Sequence, residues 1–359
     1  MAQTRTGTFF LPGPTEVRRE VLEAMTQPMI GHRVREMEDL MAHLQPRLRS
    51  IFRTSRPVYV CASSATGLME GAVRNGARRR VLSLVNGAFS QRFFQIARAS
   101  GLHADPLEVE WGGGHTADML EHALARGIYD AVTVVHSETS TGALNPIAEL
   151  AQVTREAGDV VLLVDSVSGV CGADMRADEW GLDFVLTGSQ KSFALPPGLS
   201  FGVARANILE RAASKKDRGI YFDFIEFEKN IQKNQTPNTP AVSLLYALKT
   251  QLDFIEEETI DGRIARHMQM AQRVWDWCAE LGLRILAAPE FRSPTVTTIY
   301  CPAGWTGPQL VAAVQQRGYN IATGYGRMKD ETFRIGHMGD HTVAGVAGLL
   351  DVLTTVLQK

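Results

Sequence analysis

Two apolar runs, each of strand length and each closed by an ionisable side chain, constrain this chain more than any other feature. Val160-Val161-Leu162-Leu163-Val164 delivers Asp165, followed by Ser166-Val167. Phe184-Val185-Leu186-Thr187-Gly188 delivers Lys191 behind Ser189 and Gln190. Continuous apolar runs bounded by turns read as strands buried on both faces. In an open α/β sheet, ligands bind beyond the carboxyl ends of the strands. Two neighbouring strands would then aim an acid and an amine into one crevice. Either residue alone is ordinary at a strand end. The pair, with Pro196-Pro197-Gly198 behind the lysine, points to a ligand.

The surrounding pattern supports that sheet. From about residue 58 to about residue 190 strands alternate with helices, which predicts an α/β fold with a mostly parallel sheet flanked by helices. Gly202-Val203-Ala204 reads as a returning edge strand, and Thr15 as a cap for a helix over 16–25. Beyond residue 255 the alternation resumes more lightly, with strands near 295–300 and 332–336. The expected division is a large unit over 15–255, with 1–14 and 256–359 forming an N-terminal segment plus a smaller C-terminal α/β unit. Charged residues make up 21% of the 359 and the net charge is −2, so no nucleic-acid or membrane surface is expected. No apolar stretch reaches spanning length. The four cysteines are scattered without a Cys-x-x-Cys pair, so no metal site is expected. The start lacks the apolar core of a signal peptide, and Leu357-Gln358-Lys359 is not a peroxisomal tripeptide; a cytoplasmic protein is expected.

A lysine and a carboxylate meeting at one flat ligand have a specific use. Pyridoxal phosphate needs a lysine for a Schiff base and an acid to keep its ring nitrogen protonated. Other segments add to that reading. Ser63-Ser64-Ala65-Thr66-Gly67 follows a strand and opens a helix, where free N–H groups and the helix dipole favour a phosphate; ordinary N-capping explains the same residues. Phe89, after the strand 80–85, could be a core aromatic or could stack on a ring. The segment 136–142 is dense in hydroxyls. Arg334 should face away from Phe333 and Ile335, as a carboxylate clamp or a surface arginine. His32 and Arg33 could be loop residues or could hold a substrate anion.

In order, Leu-Pro-Gly-Pro (11–14), Ser-Ser-Ala-Thr-Gly (63–67), Asn-Gly-x-Phe (86–89), Ser-Thr-Gly (140–142), Val-Asp-Ser-Val (164–167), Gly-Ser-Gln-Lys (188–191), Thr-Pro (239–240) and Phe-Arg-Ile-Gly (333–336) span nearly the whole chain. The set resembles the class V aminotransferases, fold type I of the pyridoxal phosphate enzymes. The nearest branch is that of the alanine–glyoxylate and serine–glyoxylate (serine–pyruvate) enzymes. The resemblance implies transamination of alanine or serine with glyoxylate or pyruvate, in a ping-pong cycle. It implies Lys191 as the Schiff-base lysine and Asp165 at the ring nitrogen. Val167 would lie under the ring and Phe89 would stack on it, where relatives often carry tryptophan. Ser64, Ala65, Thr66 and Gln190 would hold the phosphate, and Ser140 would lie near the ring hydroxyl. Thr236 and Thr239 would reach the cofactor of a neighbouring subunit, which implies a homodimer with shared sites. Arg334 and the Gly13 backbone would line the substrate pocket. Two departures stand out: Ala65-Thr66 replaces Gly-His of the animal peroxisomal enzymes, and Thr236 replaces a frequent tyrosine.

Three other readings compete. Phosphoserine aminotransferases, which use 2-oxoglutarate, carry a His-Arg pair at the place of His32-Arg33. A desulfurase or lyase of the same superfamily would need a mobile nucleophile, for which Cys301 is the candidate. A non-catalytic binding protein would be expected to have lost Lys191 or Asp165, and both are present.

Overall fold

The strands of the computed structural model, which describes residues 7–358, are β1 (Tyr59–Cys61), β2 (Arg80–Val85), β3 (His103–Glu108), β4 (Ala131–Val135), β5 (Ser137–Glu138), β6 (Ala143–Leu144), β7 (Val161–Asp165), β8 (Phe184–Gly188), β9 (Ser200–Ala204), β10 (Val296–Tyr300), β11 (Ala322–Thr323) and β12 (Thr332–Gly336). Seven of them form one sheet in the order β1-β9-β8-β7-β4-β2-β3. The pairs β2–β3, β2–β4, β4–β7 and β7–β8 are parallel, and β9 runs antiparallel to both neighbours. The α/β fold with a mostly parallel sheet is therefore as expected.

Burial on both faces explains the unbroken apolar runs. Leu162 and Val164 of β7 enter a core with helices Arg35–Phe52 and Val242–Glu258, while Val161 and Leu163 enter a second core with helices Ala65–Gly76 and Ala88–Ala99. Successive side chains alternate between these cores, as strand geometry demands. Strand β3 has a neighbour on one side only and consists of exposed and half-buried residues, with none fully buried.

Two local expectations are corrected. Residues 200–204 are not an edge strand: β9 lies between β8 and β1, and the short β1 closes the sheet. Thr15 is not a helix cap, because its hydroxyl donates to the Lys191 carbonyl at 3.0 Å and the first helix starts only at Arg19. A further helix, Phe224–Ile231, is capped by the Asp223 carboxylate on the Ile225 N–H.

The second sheet, β10-β12-β11, is antiparallel and packs against helices Ile260–Glu280 and Val343–Leu357. Phe10 lies in this core, and its backbone bonds to Asn320 and Gly336. The chain thereby runs past the smaller sheet before it reaches Pro12 and Gly13. Residues 1–6, part of the expected N-terminal segment, lie outside the described residues.

Candidate active site

Parallel pairing sets the two central strands side by side, with Asp165 opposite Leu186. Asp165 ends β7, and the Val167 N–H donates to its Oδ1 at 2.8 Å. Lys191 lies just past β8, in a turn held by Leu195 N–H to the Ser189 carbonyl and by Ser189 N–H to the Leu199 carbonyl. Both side chains line one cavity with Phe89, Val167, Ser64 and Gln190. The sequence had placed these residues together, and the fold brings them together.

The N-terminal segment closes over the lysine. Thr15 N–H donates to the Gln190 carbonyl, and Lys191 Nζ donates to the Pro12 carbonyl. Gly13 lies where no side chain fits: it has φ +108°, and a Cβ would come within 2.5 Å of Lys191 Cδ and Cε. Gly13→Ala should therefore displace the lysine stem as well as strain the backbone. We expect at least about a tenfold loss of amino transfer on the scale of such misplacements. Steady-state rates at saturating cofactor check this.

Burial sets the ionisation of the pair. Asp165 is pushed up to about 7 by burial, against the opposing Val167 hydrogen bond. The Lys191 amine is pushed down to about 7, first by burial and then by the charge of Arg334. An amine poised there is a usable nucleophile and base near neutral pH. It also carries a stability signature. The folded amine releases its proton near pH 7 and the unfolded one near 10.5. The unfolded chain binds the extra proton across that window, so stability climbs with pH through it. The cost of the buried charge is full below the lower value and gone above the upper one. Cofactor-free Lys191→Met should thus melt higher than cofactor-free wild type at about pH 6, with the gap closing toward pH 10.5 in paired thermal melts.

The phosphate side of the cavity is a helix N-terminus. Ser64 sits at the N-cap of helix Ala65–Gly76 yet makes no side-chain capping bond. Its hydroxyl and the first turn are thereby left to an anion, with the helix dipole in support. Gln190 lines the same cavity. Of the hydroxyl-dense segment, Ser137 in β5 and Thr139 in the turn after it line the cavity, and Thr139 Oγ1 lies 3.5 Å from Lys191 Nζ. Ser140 instead donates to Glu138 at 2.6 Å and accepts from the Ala88 N–H at 3.0 Å.

Glu138 escaped the sequence reading. It is fully buried and accepts hydrogen bonds from the Phe89, Ser90 and Ser140 N–H groups and from the Ser90 and Ser140 hydroxyls. A carboxylate offers acceptors only, and those donors include the first turn of helix Ala88–Ala99. Glu138 therefore fixes where Phe89 stands. Arg92, one turn beyond Phe89, also lines the cavity and was missed.

Arg334 faces away from its core neighbours Phe333 and Ile335, as alternation requires. It donates to the Thr139 carbonyl at 3.1 Å and to the Thr323 carbonyl at 2.9 Å, beneath the ring of Tyr325. Burial pushes its guanidinium down to about 10. No carboxylate pairs with it among the described residues.

The remaining expected residues lie elsewhere in the single chain. Thr236 and Thr239 line a separate cavity beside Cys61 and Ala62. Arg33 is exposed and donates to the Thr236 and Pro237 carbonyls at 2.9 and 3.2 Å, and His32 is half-buried. Among the described residues no cluster of His, Cys, Asp and Glu could hold a metal ion, and no helix is long and apolar enough to cross a membrane.

An acid and an amine at adjoining strand ends, an aromatic ring lining the same cavity 5.8 Å from the amine and an open helix terminus make a site for a phosphorylated ring aldehyde. The family model for aminotransferase class-V matches residues 63–327, and the chain belongs to that pyridoxal phosphate-dependent family of aminotransferases. Among its relatives, the serine–glyoxylate aminotransferase of Arabidopsis thaliana is 31% identical, with 97% of this chain and 90% of the relative covered. The L-aspartate–glyoxylate aminotransferase of Paracoccus denitrificans is 32% identical over 95% of this chain and 88% of its own length. A solved structure of an aspartate aminotransferase from Thermus thermophilus superposes with TM-score 0.90 at 30% identity, covering 98% of this chain and 99% of that one.

Proposed function

We propose that this enzyme moves an amino group from a small amino acid, alanine or serine, to a small oxo acid, glyoxylate or pyruvate. The observation that carries this reading is Arg334, a buried cation with carbonyl but, among the described residues, no carboxylate partners, one residue's breadth from the Lys191 amine through Thr139. An α-carboxylate is common to amino and oxo acids, and a planar guanidinium suits it. One arginine then serves both halves of a ping-pong cycle. The glyoxylate named in both relatives supports the acceptor.

Pyridoxal phosphate, when bound, supplies a carbonyl that primary amines exchange on and a ring that accepts electron density. The chain's own groups do the rest. Lys191 would hold the cofactor and, when released, move a proton at the substrate Cα, for which an amine near neutrality is well matched. Asp165 would keep the ring nitrogen protonated, and Phe89, fixed by Glu138, would stack on the ring. The Pro12–Gly13 backbone excludes water from the lysine side. Thr236 and Thr239, outside this cavity, are proposed to act at the site of a partner subunit in a homodimer.

Arg33 donates to the Thr236 and Pro237 carbonyls, so in the proposed homodimer it would approach the partner's site together with Thr236, and the phosphoserine reading is decided by the donor screen below. Burial raises the Cys301 thiol to about 11, unlike a reactive thiolate.

A half-reaction screen tests the proposal. Cofactor-loaded enzyme is mixed with single amino acids, and the shift of the visible absorption band is followed. Alanine or serine should shift it fastest, and glyoxylate should restore it. Conversion by phosphoserine or aspartate alone would overturn the donor assignment.

A further inference from the structure

We propose that Arg92 is the counter-cation of the cofactor's phosphate. The inference rests on the reading that the Ser64–Thr66 turn takes that phosphate. The turn itself is neutral: two hydroxyls, backbone N–H groups and the Gln190 amide line this part of the cavity. A helix N-terminus contributes about half a positive charge, which leaves a buried phosphate dianion largely uncompensated. Among the described residues only two that line the cavity are cations, Lys191 and Arg92. Lys191 points to the Pro12 carbonyl and is committed to the aldehyde end.

Arg92 has the placement and the freedom for the role. It lies three residues after Phe89 on helix Ala88–Ala99, so the two share a face. Its guanidinium stacks 4.9 Å from the Phe89 ring centroid, and Nη1 reaches 3.5 Å from Thr66 Oγ1. Among the described residues no carboxylate forms an ion pair with it. The ring contact presets the guanidinium next to the turn, and a planar fork with spare donors matches phosphate oxygens. This would also explain how a turn carrying Ala65-Thr66, with no cationic side chain, can still grip a dianion.

The test compares two probes on the cofactor-free protein: pyridoxal 5′-phosphate and pyridoxal, which lacks the phosphate. Wild type should prefer the phosphorylated form strongly. In Arg92→Gln the affinity for pyridoxal 5′-phosphate should fall about 10- to 100-fold, the weight of one charged contact, while that for pyridoxal stays within about twofold. Arg92→Lys should lose less, again only for the phosphorylated probe, and it guards against a folding defect in the first variant. A parallel loss for both probes would mark Arg92 as a brace for Phe89 and overturn the proposal, as would no loss for either. If wild type itself did not distinguish the probes, the phosphate assignment of the Ser64–Thr66 turn would fail with it, and that failure is visible without any variant.

Discussion

Lys191→Ala is expected to lower amino transfer by about 10⁴-fold, the upper range for loss of a positioned proton-transfer group. Two roles converge on this amine. Among the described residues it is the only lysine lining the cavity, and its stem is pressed against the Gly13 backbone. Its proton affinity is already lowered to about 7, mainly by burial, so it is part-deprotonated at neutral pH. Alanine removes both the anchor and the base but leaves the Thr15 bond to its backbone carbonyl available. The variant should therefore fold, bind cofactor without the wild-type visible band, and recover part of its rate with added methylamine. Steady-state rates with and without the amine check this. A variant that retained more than about a tenth of the wild-type rate would remove Lys191 from the chemistry.

Arg334→Leu should lower kcat/KM by about 10²- to 10³-fold for amino donor and oxo-acid acceptor alike, the loss of charge-assisted contacts to one carboxylate. The equal effect on both substrates is the distinguishing feature, because both present the same group to the same fork. Arg334 is not among the residues lining the cofactor cavity, so cofactor affinity should change little, while loss of its charge should raise the proton affinity of the Lys191 nitrogen. Arg334→Lys keeps a charge but loses the planar fork and should fall between. The guanidinium also holds the Thr139 and Thr323 carbonyls, so the leucine variant is expected to melt lower as well. A loss confined to one of the two substrates would place the carboxylate elsewhere.

Much of this arrangement was legible in the sequence, for physical reasons that differ by element. The strands ending at Asp165 and Gly188 were readable because both faces are buried, which leaves unbroken apolar runs. Arg334 was readable because alternation along a strand separates it from Phe333 and Ile335. The hydroxyl-rich stretch was readable as a site, but not which of its members face inward: Ser137 in the short β5 and Thr139 in the turn that follows it. Arg92 gave a usable signal, its three-residue spacing from Phe89 on one helix face. Glu138 gave none, since apart from Ser140 its donors lie almost fifty positions away, at Phe89 and Ser90. The same holds for Arg263, fully buried, which donates to the Ser192 carbonyl at 2.8 Å and pairs with Asp340, 77 positions distant. That pairing ties the residue after Lys191 to the C-terminal part of the chain. Sequence separation hides such contacts because pattern reports faces of elements, not which distant elements meet.

Reductive trapping addresses the central geometry most directly. Cofactor-loaded protein is treated with borohydride, digested, and the peptides are read by mass spectrometry. A single phosphopyridoxyl group on the peptide containing Lys191, absent from Lys191→Ala, is the expected result. A group on Lys215, Lys216 or any other lysine, or none at all, would contradict the meeting of Asp165 and Lys191 across the cofactor.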